Sequence, residues 1–241
     1  MNAATKRDHF PLPFQDEILN EVAGHERYTV CDGYSGYFQT HIAEEDQRKA
    51  AFITPWGCFA YRVMPFGLTN APATFQRFMN YVFQPFFGSS IRVFIDDFCI
   101  YSKREIHCCE VKKGLQRLYS LNGQLNPDKC HVAKTKVNLL GHTISKQGIE
   151  VDSSKVTDLM NLPPPTTAKE LITFLQKLRY FALFIHLLTQ LVSSLQKLAH
   201  TEPFTWSEMH NNEFNEVKKV LCSLPIIKPP QWSQPFYVCP S

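Results

Sequence analysis

No stretch of this 241-residue chain comes near the ~20 consecutive apolar residues that a membrane-spanning helix requires. The polar start MNAATKRDHF lacks the basic-then-apolar order of a secretory signal. An intracellular protein, cytoplasmic or nuclear, not secreted and without a membrane partner, is therefore expected. The eight cysteines include no CxxC pair, and the two close groups, HCC at 107–109 and KCH at 129–131, lack paired metal-ligand spacing. They read as free thiols. Internal repeats and low-complexity tracts are missing as well. What is present is an ordinary globular balance, 44% hydrophobic and 20% charged, enough for one large domain or two to three small ones.

The net charge of +3 hides an asymmetry. Residues 1–102 carry 8 Lys+Arg against 11 Asp+Glu, residues 103–200 carry 14 against 7, and residues 201–241 carry 3 against 4, giving −3, +7 and −1. A basic middle after an acidic, aromatic-rich beginning suits a polyanion held near a carboxylate site, although a solvated lysine-rich helix face reads the same way. Proline clusters at 11–13, 163–165 and 228–232 mark joints.

DEILNEVAG, with Ile18, Leu19 and Val22 on one side and Gly24 closing it, predicts a short amphipathic helix. RYTVCDGYSGYFQTHIA predicts strand, turn, strand, and KAAFITPWGCFAYRVMP a hairpin around Pro55, Trp56 and Gly57. A helix follows, with Asn70 as N-cap, Pro72 in its first turn, and Phe75, Phe78, Met79 and Val82 on one face. In IRVFIDDFCIYS, two β-rich halves flank a two-residue connection, so a hairpin with Asp96 and Asp97 at its tip is expected.

Asp-Asp is a poor turn, because like charges repel and raise a pKa unless a cation neutralises them. An exposed acidic turn and a divalent-metal site both remain open on those two residues alone. Asp32 ends a second apolar strand, YTVC, and precedes the flexible GYSG. Three carboxylates on two adjacent strand ends could chelate two Mg²⁺ ions for phosphoryl transfer.

Taken in order, YTVCDGYSGYFQ, MPFGLTNAPATFQRFM, VFIDDFCIYSK, LNPDKC and NLLGHTIS resemble the successive motifs of reverse transcriptases, most closely those of gypsy-type long-terminal-repeat retrotransposons. The resemblance implies that Asp32, Asp96 and Asp97 bind Mg²⁺ (or Mn²⁺) in a polymerase palm. It makes Tyr37 the aromatic steric gate under the sugar, and Ser35 and Gly36 the turn that meets the triphosphate. Phe66 and Gly67 become the floor of the nucleotide pocket, and Gln76 lies on the helix supporting the template. Lys129 falls near the lysine that can protonate pyrophosphate, and Leu139, Leu140, Gly141 and His142 match the hairpin gripping the primer end. Read singly, Tyr37 and Phe66 are core aromatics, Gly67 a turn glycine and Lys129 a surface charge.

Further on, Thr167 and Glu170 form a capping-box pattern, followed by apolar Leu171, Phe174, Leu175, Leu178, Phe181 and Ile185. This amphipathic helix resembles the first thumb helix, which implies that Lys177, Arg179 and Tyr180 face the phosphates and sugars of a duplex. Gln176 departs from the glycine that members commonly place there. The resemblance also leads us to expect that the cationic fingers strands precede Met1 and are absent. At the far end, QPFYVCPS resembles the first strand of an RNase H domain but carries Cys239, Pro240 and Ser241 instead of Asp-Ala-Ser.

The expected architecture is α+β: a palm with a ferredoxin-like antiparallel sheet and helices, a partial fingers insertion and a helical thumb. Expected domains are a palm at 1–147 with the insertion at about 40–69, a thumb at 148–202, and a connector with a truncated RNase H-like strand at 203–241. The implied function is RNA- or DNA-templated DNA synthesis on a primed template from deoxynucleoside triphosphates, alongside the remaining domains of a retroelement polyprotein. The missing fingers strands lead us to expect poor extension by the isolated chain. Two alternatives are a retroelement remnant that binds nucleic acid without polymerising, and an unrelated metal-dependent phosphohydrolase, which leaves the grip and thumb motifs unexplained.

Overall fold

The computed structural model describes residues 2, 5–230, 234 and 235. Helix α1 (Gln15–Val22) buries Ile18, Leu19 and Val22 along one stripe, as its spacing predicts. Strand β1 (Arg27–Asp32) follows, then α2 (Glu44–Gln47) and the hairpin β2 (Ala51–Thr54) and β3 (Gly57–Ala60). Helix α3 (Ala71–Phe83) leads into β4 (Ile91–Phe94) and β5 (Asp97–Ser102), and α4 (His107–Ser120) into β6 (His131–Lys134). Four of these strands form one antiparallel sheet in the order β4-β5-β1-β6.

Strand side chains alternate between faces, and here both faces are covered. Cys31, Ile91, Val93, Phe98 and Ile100 join Phe75, Met79, Val82 and Phe83 of α3 and Leu118 of α4 in one buried cluster. The opposite face carries Tyr28, Cys99 and Tyr101, all buried. There Glu21 of α1 accepts hydrogen bonds from the Tyr101 hydroxyl and the Arg92 guanidinium, and the His25 ring lies 4.7 Å from that of Tyr101.

Several local expectations are corrected. No strand follows GYSG: Ser35 takes a left-handed φ of 47°, and Gly36–Gln39 coil into a 3-10 turn, leaving only the single bridge His41–Val63. The β4–β5 turn is shifted by one residue from the expected Asp-Asp tip. Phe94 pairs with Asp97, so Ile95 and Asp96 make the turn and Asp97 begins β5. Asn70 stands at the N-cap of α3 but does not cap it; its side chain accepts from Asp8 N and donates to the Lys6 carbonyl.

Strands β7 (Lys136–Leu139), β8 (His142–Ser145) and β9 (Gly148–Val151) form a separate sheet in that order. The chain divides into two compact units, one of residues up to 140 with 144–146 and the described residues from 229, the other of 141–143 and 147–228. In the second, α5 (Ser153–Met160), α6 (Ala168–Arg179), α7 (Leu188–Leu191), α8 (Ser193–Leu198) and α9 (Glu208–Leu221) enclose a core. Leu159, Leu171, Phe174, Leu178, Leu195, Phe214 and Val217 are buried in it.

Thr167 does cap α6, accepting from Glu170 N at 3.3 Å, but the Glu170 carboxylate reaches back to Thr166 rather than closing a box on Thr167. The helix stops at Arg179, so Phe181 and Ile185 enter the core from the turns beyond it. The connector expected from 203 contains α9, which packs into this same core instead of ending the unit at 202. The strand expected over 234–241 lies outside the described residues except for Gln234 and Pro235.

Phe174 is 2% exposed and meets Phe214 at 4.8 Å between centroids. Phe174→Ala should cost about 3–5 kcal/mol, whereas Thr167→Ala should cost about 1 kcal/mol. Urea denaturation of both variants reads the difference, and equal losses would contradict this packing.

Candidate active site

Strand pairing brings the three predicted carboxylates together. Asp32 ends β1 opposite Asp97 on β5, and Asp96 occupies the adjoining turn. Gly33 N donates to the Asp96 carbonyl at 3.2 Å, fastening the end of β1 to that turn. Gly36 then passes so close that a Cβ on it would lie 2.7 Å from Asp96 Oδ1 and 2.8 Å from Phe75 Cζ, which only glycine avoids.

Gln76, expected on the helix supporting the template, lies on α3 and is fully buried. Its Oε1 accepts from Ile95 N at 2.6 Å and its Nε2 donates to Asn80 Oδ1 at 2.8 Å. Gln76 therefore holds the carboxylate-bearing turn from behind. Ile95 needs that support, because its φ of 52° is unfavourable for a β-branched residue.

Burial pushes the carboxyl of Asp96 above the usual range, and the negative charges of Asp32 and Asp97 push it further. Burial and then Asp32 do the same to Asp97. Lys129 opposes both, its Nζ lying 2.8 Å from Asp32 Oδ2. That lysine is positioned by Asn126, whose N–H donates to the Asp32 carbonyl at 3.0 Å and whose side chain accepts from Asp128 N. The bond to Asp32 raises the Lys129 pKa.

One oxygen of the cluster, Asp96 Oδ1, is buried without a hydrogen-bond partner. A buried acceptor beside two more carboxylates is what a hard divalent cation would satisfy, so the donors suit Mg²⁺ or Mn²⁺. Among the described residues, no group of three His, Cys, Asp or Glu side chains already closes on one point.

Tyr37 is half-buried beside the carboxylates, its phenol pushed up by burial and then by Asp96. Its ring meets Phe66 at 5.1 Å and Phe75 at 5.6 Å, both edge-on. Phe66 is 61% exposed, and Gly67 has a φ of +89° with open space around it. Ser35, left-handed, and Gly36, right-handed, give the alternation that turns successive N–H groups inward.

In the second unit, Gly141 makes the turn ahead of β8, and His142 stacks on Tyr180 at 4.8 Å. Leu139 and Leu140 belong to the first unit, where Leu139 is buried and Leu140 takes a φ of 50°. Lys177 and Arg179 are exposed on α6, while Tyr180 is half-buried and donates its hydroxyl to the Gly141 carbonyl. Gln176 is exposed and, with Arg179, Gln196 and His200, rims an otherwise largely apolar cavity of about 820 Å³. Ile95, Asn126 and Lys155 escaped the sequence reading, and Phe75 was read only as part of an apolar helix face. An Asn-Pro turn signal marked Asn126, and nothing local marked the others.

Residues 1–144 match the family model described as reverse transcriptase (RNA-dependent DNA polymerase). The chain is 32% identical over 99% of its length to the retrovirus-related Pol polyprotein from transposon opus of Drosophila melanogaster, covering 25% of that protein. It is 33% identical over 98% of its length to the Pol polyprotein from transposon 297 of the same organism, covering 23%. Against the transposon Tf2-3 polyprotein of Schizosaccharomyces pombe it is 30% identical over 95%, covering 17%. The chain thus spans a quarter or less of these relatives. Among solved structures it resembles a foamy viral protease-reverse transcriptase in complex with dsDNA, with a TM-score of 0.89 and 20% identity over 97% of this chain and 50% of that one. The same viral protein in complex with RNA/DNA hybrid gives a TM-score of 0.84 and 20% identity, covering 94% of this chain and 31% of that one. At that identity the likeness is one of fold.

A carboxyl whose pKa is raised by folding binds more protons folded than unfolded, so stability falls as pH rises from the unfolded aspartate value of about 3.9 through the folded one. Above that window the penalty is complete. In metal-free buffer at pH 7, Asp96→Asn should raise Tm by about 2–4 °C, the effect of roughly 1 kcal/mol in a chain of this size. Below about pH 3.9 the gain should vanish. A Tm lowered at pH 7 would show that the carboxylates are not in mutual repulsion.

Proposed function

Because the chain belongs to the reverse transcriptase (RNA-dependent DNA polymerase) family, we propose that its first unit is the palm, with part of the fingers, of a templated DNA polymerase, and its second unit the thumb. The observation that carries this reading is the strand register that sets Asp32 opposite Asp97, with Asp96 and its buried, unsatisfied oxygen in the adjoining turn and Gly36 and Tyr37 alongside. Asp32 and Asp96, assisted by Asp97, would hold Mg²⁺ or Mn²⁺. When bound, such ions supply activation of the primer 3′-hydroxyl and neutralisation of charge on the phosphoryl group.

The chain's own residues do the rest. Ser35 and Gly36 offer backbone N–H groups to the triphosphate of a deoxynucleotide. Tyr37, braced edge-on by Phe66 and Phe75, lies under the sugar and bars a 2′-hydroxyl. Gln76 acts through the turn rather than on the template. Lys129 can deliver a proton to pyrophosphate once it leaves Asp32. Leu139 to His142 meet the primer end, and Lys177 and Arg179 contact duplex phosphates. Template, primer and deoxynucleotides are the proposed partners, together with other parts of a retroelement polyprotein like those of the relatives. No helix among the described residues is long and apolar enough to cross a membrane.

One observation favours a second reading, a retroelement remnant that binds nucleic acid without polymerising: Lys129 already pairs with Asp32. Single-nucleotide extension of a primed template, with Mg²⁺ and with Mn²⁺, separates the two. Polymerisation predicts extension that Asp96→Asn reduces by at least about 10²-fold, with Tyr37→Ala admitting ribonucleotides. Duplex binding without extension that persists after upstream fingers strands from a related element are joined to the chain would favour the remnant, extension restored by those strands would favour the polymerase, and no binding would defeat both.

A further inference from the structure

Four side chains of the second unit converge beside the turn at Gly141. The Tyr180 hydroxyl donates to the Gly141 carbonyl, and the Tyr180 ring is stacked on His142 at an interplanar angle of 22°. His142 stacks in turn on Phe184 at 5.8 Å. From α5, Lys155 lays its ammonium over the other part of this assembly, 3.9 Å from the Tyr180 ring centroid. It comes so near the turn that a Cβ on Gly141, whose φ is +82°, would lie 2.7 Å from Lys155 Nζ. Glycine is favoured there by its backbone, and the contact shows how near the lysine stands to the turn.

Beside this cluster opens a recess of about 260 Å³ lined by Lys155, Asp158, Leu159, Lys177, Tyr180 and Phe181. Lys155 and Lys177 line it together with Asp158 above an apolar floor, and the nearby Asp152 carboxylate also acts on Lys155. Lys155 differs from an ordinary surface lysine. It is half-buried and held on an aromatic face, so it has already lost side-chain freedom and part of its hydration, and an arriving anion need not impose that cost. The recess offers no planar set of donors and acceptors that would read a base edge.

We infer that this recess seats one backbone phosphate of a bound nucleic acid, with Lys155 as its anchoring cation and Lys177 as the second. The inference rests on the proposed reading of the chain as a binder of primed template and names a contact within it. Tyr180 serves here as a positioning residue: it carries the lysine on its face and ties the seat to the Gly141 turn through its hydroxyl. Nucleic acid would therefore be held next to the turn by charge, independently of sequence.

The test is fluorescence anisotropy of the full chain with a labelled DNA primer–template between about 50 and 300 mM KCl. Lys155→Met, which keeps an apolar stem on Tyr180, should weaken binding and lower the slope of log affinity against log salt by about 0.9, the share of one phosphate. Lys155→Arg should restore the slope, Lys177→Met should lower it like Lys155→Met, and Lys197→Met on α8 should leave it unchanged. An unchanged slope in Lys155→Met that melts like the parent overturns the seat; should that variant fail to fold, an unchanged slope in Lys177→Met does so. Inorganic phosphate that stabilises the parent but not Lys155→Met, and that leaves duplex binding by the parent untouched, would assign the recess to a free anion and overturn the backbone assignment. A parent chain that binds no duplex fails the proposed function itself, a different result from a parent that binds with a slope indifferent to Lys155.

Discussion

Everything in the first unit depends on the register of β1 against β5. Both strands are buried on both faces, and side chains alternate with a period of two, so a slip of one residue would exchange the Phe98 and Ile100 face for the Cys99 and Tyr101 face. Neither layer of helices could accept that exchange. The aligned register has an electrostatic consequence at its open end, where Asp32 and Asp97 become direct partners and Asp96 follows in the turn. Like charges opposed across a ladder are unfavourable, and partial burial aggravates them. Hydrophobic packing of Phe98 and Ile100 against α3 and α4 thus imposes a strained cluster that no local preference would assemble. Local interactions that disfavour an arrangement enforced globally are common at sites that await a ligand.

Legibility in the chain follows the range of the interactions. Asp32, Asp96 and Asp97 could be picked out because apolar strands ending in carboxylates are written in consecutive residues. The one-residue misplacement of the turn came from treating the like-charge pair as the connection itself. In the fold, Ile95 accepts a left-handed φ because Gln76, 19 residues away, takes its N–H, while Gly33 takes the Asp96 carbonyl. Turn rules built on adjacent residues contain neither partner. The service of Gln76 to this turn was illegible for the same reason: nothing near it in the chain names the backbone group that it accepts from.

Other corrections share that cause. Asn70 and Glu170 each carry a residue type with a familiar local use, as N-cap and box partner. Each is engaged elsewhere: Asn70 with Lys6 and Asp8, and Glu170 with Thr166. Apolar spacing was the more reliable guide. Leu171, Phe174 and Leu178 are buried as their period requires, because burying an apolar side chain needs no particular partner, only a neighbour of matching shape.

Tyr180 brings these two lessons together. Its position after Lys177 and Arg179 suggested a third contact to nucleic acid, yet its hydroxyl is already given to Gly141 and its face to Lys155 and His142. An aromatic ring committed on both face and edge cannot also stack on a sugar without giving up one of them. What it does instead is convert the flexible Lys155 into a fixed charge beside the turn. A cation so placed raises affinity mainly by reducing the freedom lost on binding, whereas Lys177 and Arg179, exposed on α6, must still be ordered by whatever they meet. The three residues picked out as one patch therefore stand differently: Lys177 and Arg179 are exposed, and Tyr180 fixes where Lys155 stands.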